Sequence, residues 1–439
     1  MRWERRLAGI GMLMAWLATG SMAATALPPK GDVLLVPDRV WTADGDAAHT
    51  GWAVLVHDGA IAAVGPADGI KPAAEAQCIT LPGATLMPGL IDLHSHVFLH
   101  PYNETLWNDQ VLKEPQDYRT LEAAAHARST LLAGFTTLRD LGTEGAGFAD
   151  VSIKRAIDEG MIPGPRMFVA TRAIVATASY GPGPRGFRPD MELPGGAQEI
   201  SGVDEAIHAT REQAGHGADW IKLYADYRVG VDGSTQPTLS LAEMKAIVDT
   251  AHRSGRPVAA HASSDEGVRL AVEAGVDSIE HGYGASEATF RLLKQHGTAY
   301  EPTLTAVEAT AQYFEHYVPG QSEPTARMKE AERAFRTALK LGVTIGNGSD
   351  VGVFTHGDNW REPANMVHDG MTPPQALHAA TNVAARILRQ QEKFGRIAPG
   401  LRADLVAFTG DPSTHIDDLQ QPVFVMKDGT VYRTPQGTP

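Results

Sequence analysis

Two histidines, His94 and His96, lie two residues apart in an apolar stretch that begins at Leu90. We predict a strand here, and alternate residues of a strand point to the same face, so both imidazoles can reach one metal ion. The spacing alone is weak evidence, because two polar residues on a hydrated strand face show it as well. The apolar flanks favour metal ligands.

Two further histidines, His261 and His281, each end a short apolar stretch typical of a buried strand. A neutral imidazole at such a position can bind a metal such as zinc. Either residue alone would more often be a core histidine with satisfied hydrogen bonds. Together with the first pair, they are better explained as one metal site.

Lys222 shares a predicted strand face with Trp220 and Tyr224, and that face would point inward. Burial lowers the pKa of a lysine and leaves a nucleophilic amine, which could capture carbon dioxide. The resulting carbamate is an anion that can bridge two cations. The alternative is a buried lysine that pairs with a carboxylate.

Asp350 ends the glycine-rich stretch 344–350, where the missing side chains allow the backbone to approach a site closely. A carboxylate in that place can bind a metal and accept a proton from water. An isolated Gly-Ser-Asp could equally be a turn or a helix cap. The other five residues favour the catalytic interpretation.

The elements that must position these six residues follow a recurring order of helix, glycine and buried strand, as in the capped helix after Ser240 and the strand that ends at His261. The same order predicts a second helix that begins at Ser263, and strands over residues 299–304 and 343–350. Such alternation predicts a parallel α/β fold, either a closed barrel or an open sheet. The polar residues lie at the ends of strands throughout the region, which favours a (β/α)8 TIM-type barrel over residues 88–395.

Short alternating strands with tight turns at Asp58-Gly59 and Asp428-Gly429 flank this region. Neither flank is long enough to bury a core alone. We therefore predict that residues 27–87 and 396–434 combine into one small discontinuous β-sandwich domain.

The first residues combine a basic start, an apolar core and a small-residue site near Ala23, which predicts a signal peptide over residues 1–23. A membrane anchor is the alternative, but the apolar core is shorter than a bilayer span. We expect an exported protein, periplasmic or secreted, with no membrane contact after cleavage. The formal net charge of −14 argues against a nucleic-acid partner, and the single Cys78 allows no internal disulfide.

This ordered set resembles the amidohydrolase superfamily over nearly the whole mature chain. The similar stretches are residues 88–96, 134–140, 218–222, the strand ends at His261 and His281, and residues 348–350, 371–377 and 395–404. The resemblance implies two divalent metal ions, with zinc expected. It assigns one ion to His94, His96 and Asp350, the other to His261 and His281, and the bridge to carboxylated Lys222. Asp350 would also be the catalytic residue that passes a proton to the leaving amine.

The chain is most similar to the branch of imidazolonepropionase-like proteins, prolidase-type dipeptidases and metal-dependent carboxypeptidases, which includes ochratoxin-degrading amidohydrolases. This similarity implies hydrolysis of a dipeptide or N-acyl amino acid with a free carboxylate, including aromatic substrates such as ochratoxin A. Relatives in this branch are often homo-oligomers, so we expect one here.

Five residues are candidates for substrate binding. Tyr180 stands where many relatives carry the histidine of a Gly-Gly-His stretch. Tyr224 and Arg228 could bind a substrate α-carboxylate, because a guanidinium suits bidentate recognition, although Arg228 could also be a surface residue. His100 and His356 lie in loops near predicted strand ends, where either contacts substrate or is exposed.

Other activities fit the same residues less well. Single-metal deaminases of the superfamily usually carry a glutamate just after the fifth-strand histidine, whereas Ser264 stands third after His261. Hydrolysis of cyclic amides, lactones or phosphotriesters is harder to separate, since one metal pair serves several electrophiles. A non-catalytic metal-binding barrel predicts a missing ligand, and all six are present.

Overall fold

The computed structural model describes residues 31–183 and 186–438, so the predicted signal peptide lies outside the described residues. The strands are β1 (Val33–Val40), β2 (His49–Thr50), β3 (Trp52–His57), β4 (Ala60–Pro66), β5 (Gln77–Pro88), β6 (Leu90–Ser95), β7 (Phe135–Asp140), β8 (Arg166–Val169), β9 (Ile174–Ala176), β10 (Gln198–Ile200), β11 (Ile221–Tyr224), β12 (Asp226–Tyr227), β13 (Gln236–Pro237), β14 (Val258–Ala262), β15 (Ser278–His281), β16 (Ala299–Glu301), β17 (Leu405–Thr409), β18 (Pro422–Lys427) and β19 (Thr430–Arg433). The α-helices are α1 (Trp107–Lys113), α2 (Gln116–Leu132), α3 (Ala149–Asp158), α4 (Val203–His216), α5 (Leu241–Arg253), α6 (Asp265–Ala274), α7 (Glu287–His296), α8 (Leu304–Phe314), α9 (Ala326–Leu341), α10 (Arg361–His368), α11 (Pro373–Ala379) and α12 (Asn382–Ile387). Short 3-10 helices span Ala67–Gly69 and Ile416–Gln420.

Strands from both flanks of the chain form one eight-stranded sheet in the order β19-β18-β17-β5-β1-β3-β4, with β2 on β1. The flanks meet where β17 pairs antiparallel with β5, and Leu405 lies opposite Pro88. The two hairpin turns of the sheet also touch, because a Cβ on Gly429 would come 2.7 Å from Cα of Gly59. Both glycines have positive φ, so the turns need glycine for space and for conformation.

The middle of the chain forms the parallel strands of the barrel. β6, β7 and β8 make one run, and β9, β11, β14, β15 and β16 make another, with β10 beside β9. The amides of Asp219 and Trp220 donate to the carbonyl of Val169 and join the two runs at one seam. At the other seam, residues 343–351 bridge to β16 at Ile345 and to β6 at Val351. The protein is therefore a (β/α)8 barrel with a small discontinuous β domain.

The predicted helix–glycine–strand order is confirmed at α4, α6, α7 and α9, each of which ends at a left-handed glycine. Ser240 forms the predicted capping box with Glu243 at the start of α5. Within the described residues, no helix is long and apolar enough to cross a bilayer.

Three local predictions were wrong in detail. Ser264, not Ser263, caps α6, because Asp226 accepts hydrogen bonds from both serine amides and fixes the turn before the helix. The strand expected from residue 299 to 304 ends at Glu301, and Leu304 already starts α8. The stretch 344–350 pairs only through isolated bridges, because its closely spaced glycines leave an irregular backbone.

Candidate active site

His94 and His96 lie at the end of β6, with their Nε2 atoms 3.3 Å apart. Asp350 Oδ1 lies 3.5 Å from Nε2 of His94 and 3.3 Å from Nε2 of His96. The three ligand atoms lie within 4.8 Å of one another. Two imidazoles and a carboxylate converging at this distance form a donor set that suits a divalent transition metal.

The backbone around Asp350 brings its carboxylate to this place. The Asp350 amide donates to the carbonyl of His94 at 2.8 Å, and Asp350 itself has a left-handed φ of 63°. A Cβ on Gly348 would come 3.0 Å from Cβ of His94. The glycine is therefore needed for the close approach that the sequence predicted at this stretch.

His261 and His281 end the adjacent strands β14 and β15, and their ring centroids are 4.5 Å apart. The centroid of His281 is also 5.2 Å from that of His94. Burial, followed by neighbouring positive charges, holds the pKa of both histidines well below the usual value. They are thus neutral at physiological pH, as metal ligation requires.

Hydrogen bonds to Nδ1 fix the orientation of two of these rings. His96 Nδ1 donates to the carbonyl of Gly142 at 3.0 Å. Nδ1 of His281 lies 2.8 Å from Oγ1 of Thr303. Both arrangements leave Nε2 directed into the site. Metal-binding histidines are commonly oriented in this way, by a hydrogen bond at the ring nitrogen that does not bind the metal.

Lys222 lies on β11 beside β14, and only 1% of its surface is exposed. Its Nζ has no hydrogen-bond partner among the residues that the structure describes. Burial lowers the pKa of Lys222 to about 8. The alternative of a lysine paired with a carboxylate therefore does not describe Lys222, because no carboxylate hydrogen-bonds to its Nζ among the described residues. A buried amine without a hydrogen-bond partner costs free energy unless a ligand or a modification supplies one.

A buried ion pair beneath the site was missed by the sequence reasoning. Glu280 Oε2 lies 2.7 Å from His94 Nδ1, and its Oε1 accepts from Arg139 Nη2 at 2.9 Å. Burial alone would raise the pKa of Glu280, but Arg139 and His94 lower it well below the usual value. Glu280 therefore stays ionised and orients His94.

A cavity of about 670 Å³ opens above the six residues, and it exposes His94, His96, His261, His281 and Asp350. Three of the predicted substrate-binding residues, Tyr180, Tyr224 and Arg228, line its wall. Several other residues of the lining were not predicted from the sequence: Tyr102, Trp107, Glu144, Tyr227, Tyr283, Arg327 and Glu330. The cavity is thus rich in aromatic rings and carries charges of both signs.

The structure places His100 and His356 outside the cavity lining. His100 Nε2 lies 3.0 Å from Glu114, and its Nδ1 lies 3.3 Å from Glu104. His356 Nε2 donates to the carbonyl of Leu99 at 2.9 Å. Because these contacts turn both rings away from the cavity, the two residues are not brought together with the rest of the predicted site.

Comparisons with known proteins agree with this architecture. The Amidohydrolase family model matches residues 85–434. Ochratoxinase from Aspergillus niger is 30% identical over 378 residues, which cover 80% of this chain and 76% of that protein. A crystal structure of a Xaa-Pro dipeptidase with bound methionine in the active site superposes with a TM-score of 0.81 and 29% identity, covering 92% of this chain and 100% of that one.

A prolidase solved in complex with N-methylphosphonate-L-proline has a TM-score of 0.76 and 28% identity, and the alignment covers 92% of this chain and 100% of the prolidase. The family match spans most of the sequence and includes every residue of the site described above. The protein with this barrel and this cluster of buried histidines belongs to the amidohydrolase family.

Proposed function

We propose that the chain is a binuclear metal-dependent hydrolase that cleaves the amide bond of a dipeptide or N-acyl amino acid with a free carboxylate. The observation that carries the proposal is the buried amine of Lys222, which has no partner among the described residues although it lies at the base of a site with four histidines and Asp350. A carbamate on this nitrogen, formed with carbon dioxide and loss of a proton, would give the site a second anion besides Asp350.

The residues fit a pair of zinc ions. His94, His96 and Asp350 would hold one ion, and His261 and His281 would hold the other, with carboxylated Lys222 between them. Nitrogen ligands combined with carboxylates are those that zinc prefers. When bound, such ions polarise a substrate carbonyl and lower the pKa of water to about 7.

Asp350 is placed for proton transfer. Burial tends to raise its pKa, but His94 and His96 lower it on balance, so the group is a carboxylate at neutral pH. Its Oδ1 faces both histidines of the first pair. Asp350 would accept the proton of the attacking water and return it to the leaving nitrogen.

The cavity supports a small peptide-like substrate. Its volume suits a dipeptide, and its aromatic wall suits apolar side chains. Arg228 also lines the cavity, with its guanidinium 5.7 Å from the ring of Tyr227, and would bind the substrate carboxylate. The proposal also draws on the relatives, whose names describe dipeptidase, prolidase and ochratoxinase proteins.

The experiment is a screen of the zinc-loaded protein against dipeptides and N-acyl amino acids, with release of a free amino acid as the readout. We expect turnover of substrates with a free carboxylate, and two metal ions per chain by elemental analysis. Asp350→Asn is the matched variant, which should bind substrate but lose turnover. Activity on lactones or cyclic imides without turnover of any amide would contradict the substrate class. A folded, metal-free, inactive protein would contradict the whole proposal.

A further inference from the structure

Glu144 is a buried carboxylate in the cavity wall that the proposed hydrolysis does not use. Only 2% of its surface is exposed, and it has a left-handed φ of 50°. A non-glycine residue held in this backbone region is strained, and such strain is concentrated at functional sites. The conformation directs the Glu144 side chain towards the cavity.

Neutral donors surround this carboxylate unevenly. Oε2 accepts from Trp107 Nε1 at 2.9 Å and from the Tyr180 hydroxyl at 2.6 Å. Among the residues that the structure describes, Oε1 accepts a hydrogen bond only from the hydroxyl of Tyr224, at 3.4 Å. Because a carboxylate oxygen can accept two hydrogen bonds, Oε1 retains most of its capacity.

No lysine or arginine side chain of the described part of the chain pairs with the Glu144 carboxylate. Arg119 is near, but its guanidinium donates to the backbone carbonyls of Phe98 and Glu144 instead. Nδ1 of His96 lies 3.9 Å from Oε1, beyond hydrogen-bond range, and donates to Gly142. A buried negative charge to which no cationic side chain donates a hydrogen bond is costly, so a ligand with a cationic donor is its natural complement.

Aromatic rings complete the surroundings of Glu144. The centroid of Tyr180 lies 4.9 Å from that of Trp107, 4.8 Å from that of Tyr224 and 5.0 Å from that of Tyr227. All four rings line the cavity. Aromatic faces next to a carboxylate form the type of site that recognises ammonium groups.

We propose that Glu144 and these rings bind the protonated α-amine of the substrate. The inference rests on the proposed hydrolase function and narrows it: dipeptides with a free amino terminus are the substrate class, and N-acyl amino acids are poor substrates. The α-nitrogen of a dipeptide is two bonds from the scissile carbonyl carbon, so its site must adjoin the metal ligands. Glu144 meets this condition, because it lies beside His96, whereas a side-chain ammonium would sit farther away.

Two other carboxylates line the cavity, and neither suits the amine as well. Asp350 faces the histidine pair. Glu330 is exposed and lies 3.8 Å from Arg333. Glu330→Gln is therefore the matched control for loss of a negative charge from the cavity.

The first experiment compares kcat/KM for Ala-Phe and N-acetyl-Ala-Phe. We expect the wild-type protein to prefer the free amine by about 10- to 100-fold, as a charge-assisted hydrogen bond predicts. In Glu144→Gln the preference should fall to near one, mainly through KM for Ala-Phe, while Glu330→Gln keeps it. Glu144→Asp should retain part of it. N-acetyl-Lys-Phe, which offers only a side-chain ammonium, should behave like N-acetyl-Ala-Phe.

Equal turnover of the two peptides by the wild-type protein, or an unchanged preference in folded Glu144→Gln, would overturn the inference. A second measurement does not depend on hydrolysis. Calorimetric titration of the metal-loaded protein with 2-phenylethylamine and its N-acetyl derivative should show tighter binding of the amine, and Glu144→Gln should abolish the difference. If neither peptide reacts but the amine still binds more tightly than its N-acetyl derivative, the hydrolase function is rejected and the ammonium site is retained. Equal binding of both probes would reject the site.

Discussion

Glu280 Oε2 accepts a hydrogen bond from Nδ1 of His94 at 2.7 Å, and both side chains are buried. This contact leaves Nε2 of His94 for metal binding and makes Glu280 a positioning residue. We predict that Glu280→Gln lowers metal affinity by about 10- to 100-fold, the usual effect of removing a carboxylate that orients a metal-binding histidine. Stability should fall by at most about 3–5 kcal/mol, because the buried Arg139 loses its nearer carboxylate and keeps only Glu301, at 3.8 Å.

Chelator competition and chemical denaturation measure the two effects separately. Ser278→Ala is the matched control, since it removes a neutral hydroxyl that donates to Glu280 and accepts from Arg139 but leaves the charges of both in place. We expect it to cost about 1 kcal/mol and to leave metal affinity near the wild-type value. Wild-type metal affinity in Glu280→Gln would contradict the role of Glu280.

Lys222→Ala tests the bridging carbamate. Loss of the bridge should remove metal and reduce activity by about 100- to 1000-fold, the scale expected for removing a preorganised catalytic group. Added acetate should restore part of both, because the space left by the side chain admits a small carboxylate. Lys222→Met fills that space and should not be rescued. Metal content by elemental analysis, with and without acetate, is the measurement, and rescue of both variants or of neither would count against the carbamate.

Arg228→Met tests recognition of the substrate carboxylate. We expect KM for Ala-Phe to rise by about 10- to 100-fold, because a charge-assisted hydrogen bond is lost, while Ala-Phe-amide is unaffected. Arg327→Met is the matched control, since Arg327 also lines the cavity and lies 5.7 Å from the ring of Tyr283. If KM for Ala-Phe rises only in Arg327→Met, the substrate carboxylate binds near Tyr283 and not at Arg228.

Glu362 should make stability depend on pH. Burial raises its pKa from 4.5 to about 8, although Thr305 and the amide of Leu304 donate to the carboxylate. Because the folded protein binds the Glu362 proton more tightly than the unfolded chain does, the protonated carboxyl adds to the free energy of unfolding. This contribution is complete below about pH 4.5 and is lost as the pH rises to about 8. Denaturation at several pH values should show a shallower decline for Glu362→Gln than for the wild type. Glu308→Gln, at an ion pair with Arg361, should keep the wild-type slope.

The sequence alone could predict the residues that converge at the mouth of the barrel, because the histidines and Asp350 lie at the ends of strands or strand-like segments and Lys222 lies on the inward face of a strand. Parallel strands bring such ends to one face, so chain order and local pattern are sufficient. The helix–glycine–strand order and the pairing of the two flanks follow from the same local signals.

The partners of these residues were harder to predict. Glu280 precedes His281, and strict alternation directs the two side chains to opposite faces, yet His281 leaves the strand with a φ of 74°. Glu144 stands in a loop whose conformation depends on tertiary contacts with Trp107 and Tyr180. Local sequence contains no signal for either arrangement.

For the two loop histidines, the sequence predicted a place in the site that the structure does not show. His100 and His356 follow predicted strand ends, as the proposed metal ligands do, but nearby glutamates and a backbone carbonyl hold their rings. Position along the chain predicts which loop a residue occupies, and only the packing determines where its ring points.

The hydrogen bond from Thr85 Oγ1 to the carbonyl of Gly410 joins residues 325 positions apart, in the sheet where β5 pairs with β17. On the ribosome, β5 is made before the whole barrel, while β17 emerges after it. One edge of β5 therefore remains unpaired through most of translation, and its backbone groups can pair with strands of other chains. A product terminated early, before residue 405, would keep that edge exposed and should aggregate even if its barrel were otherwise complete.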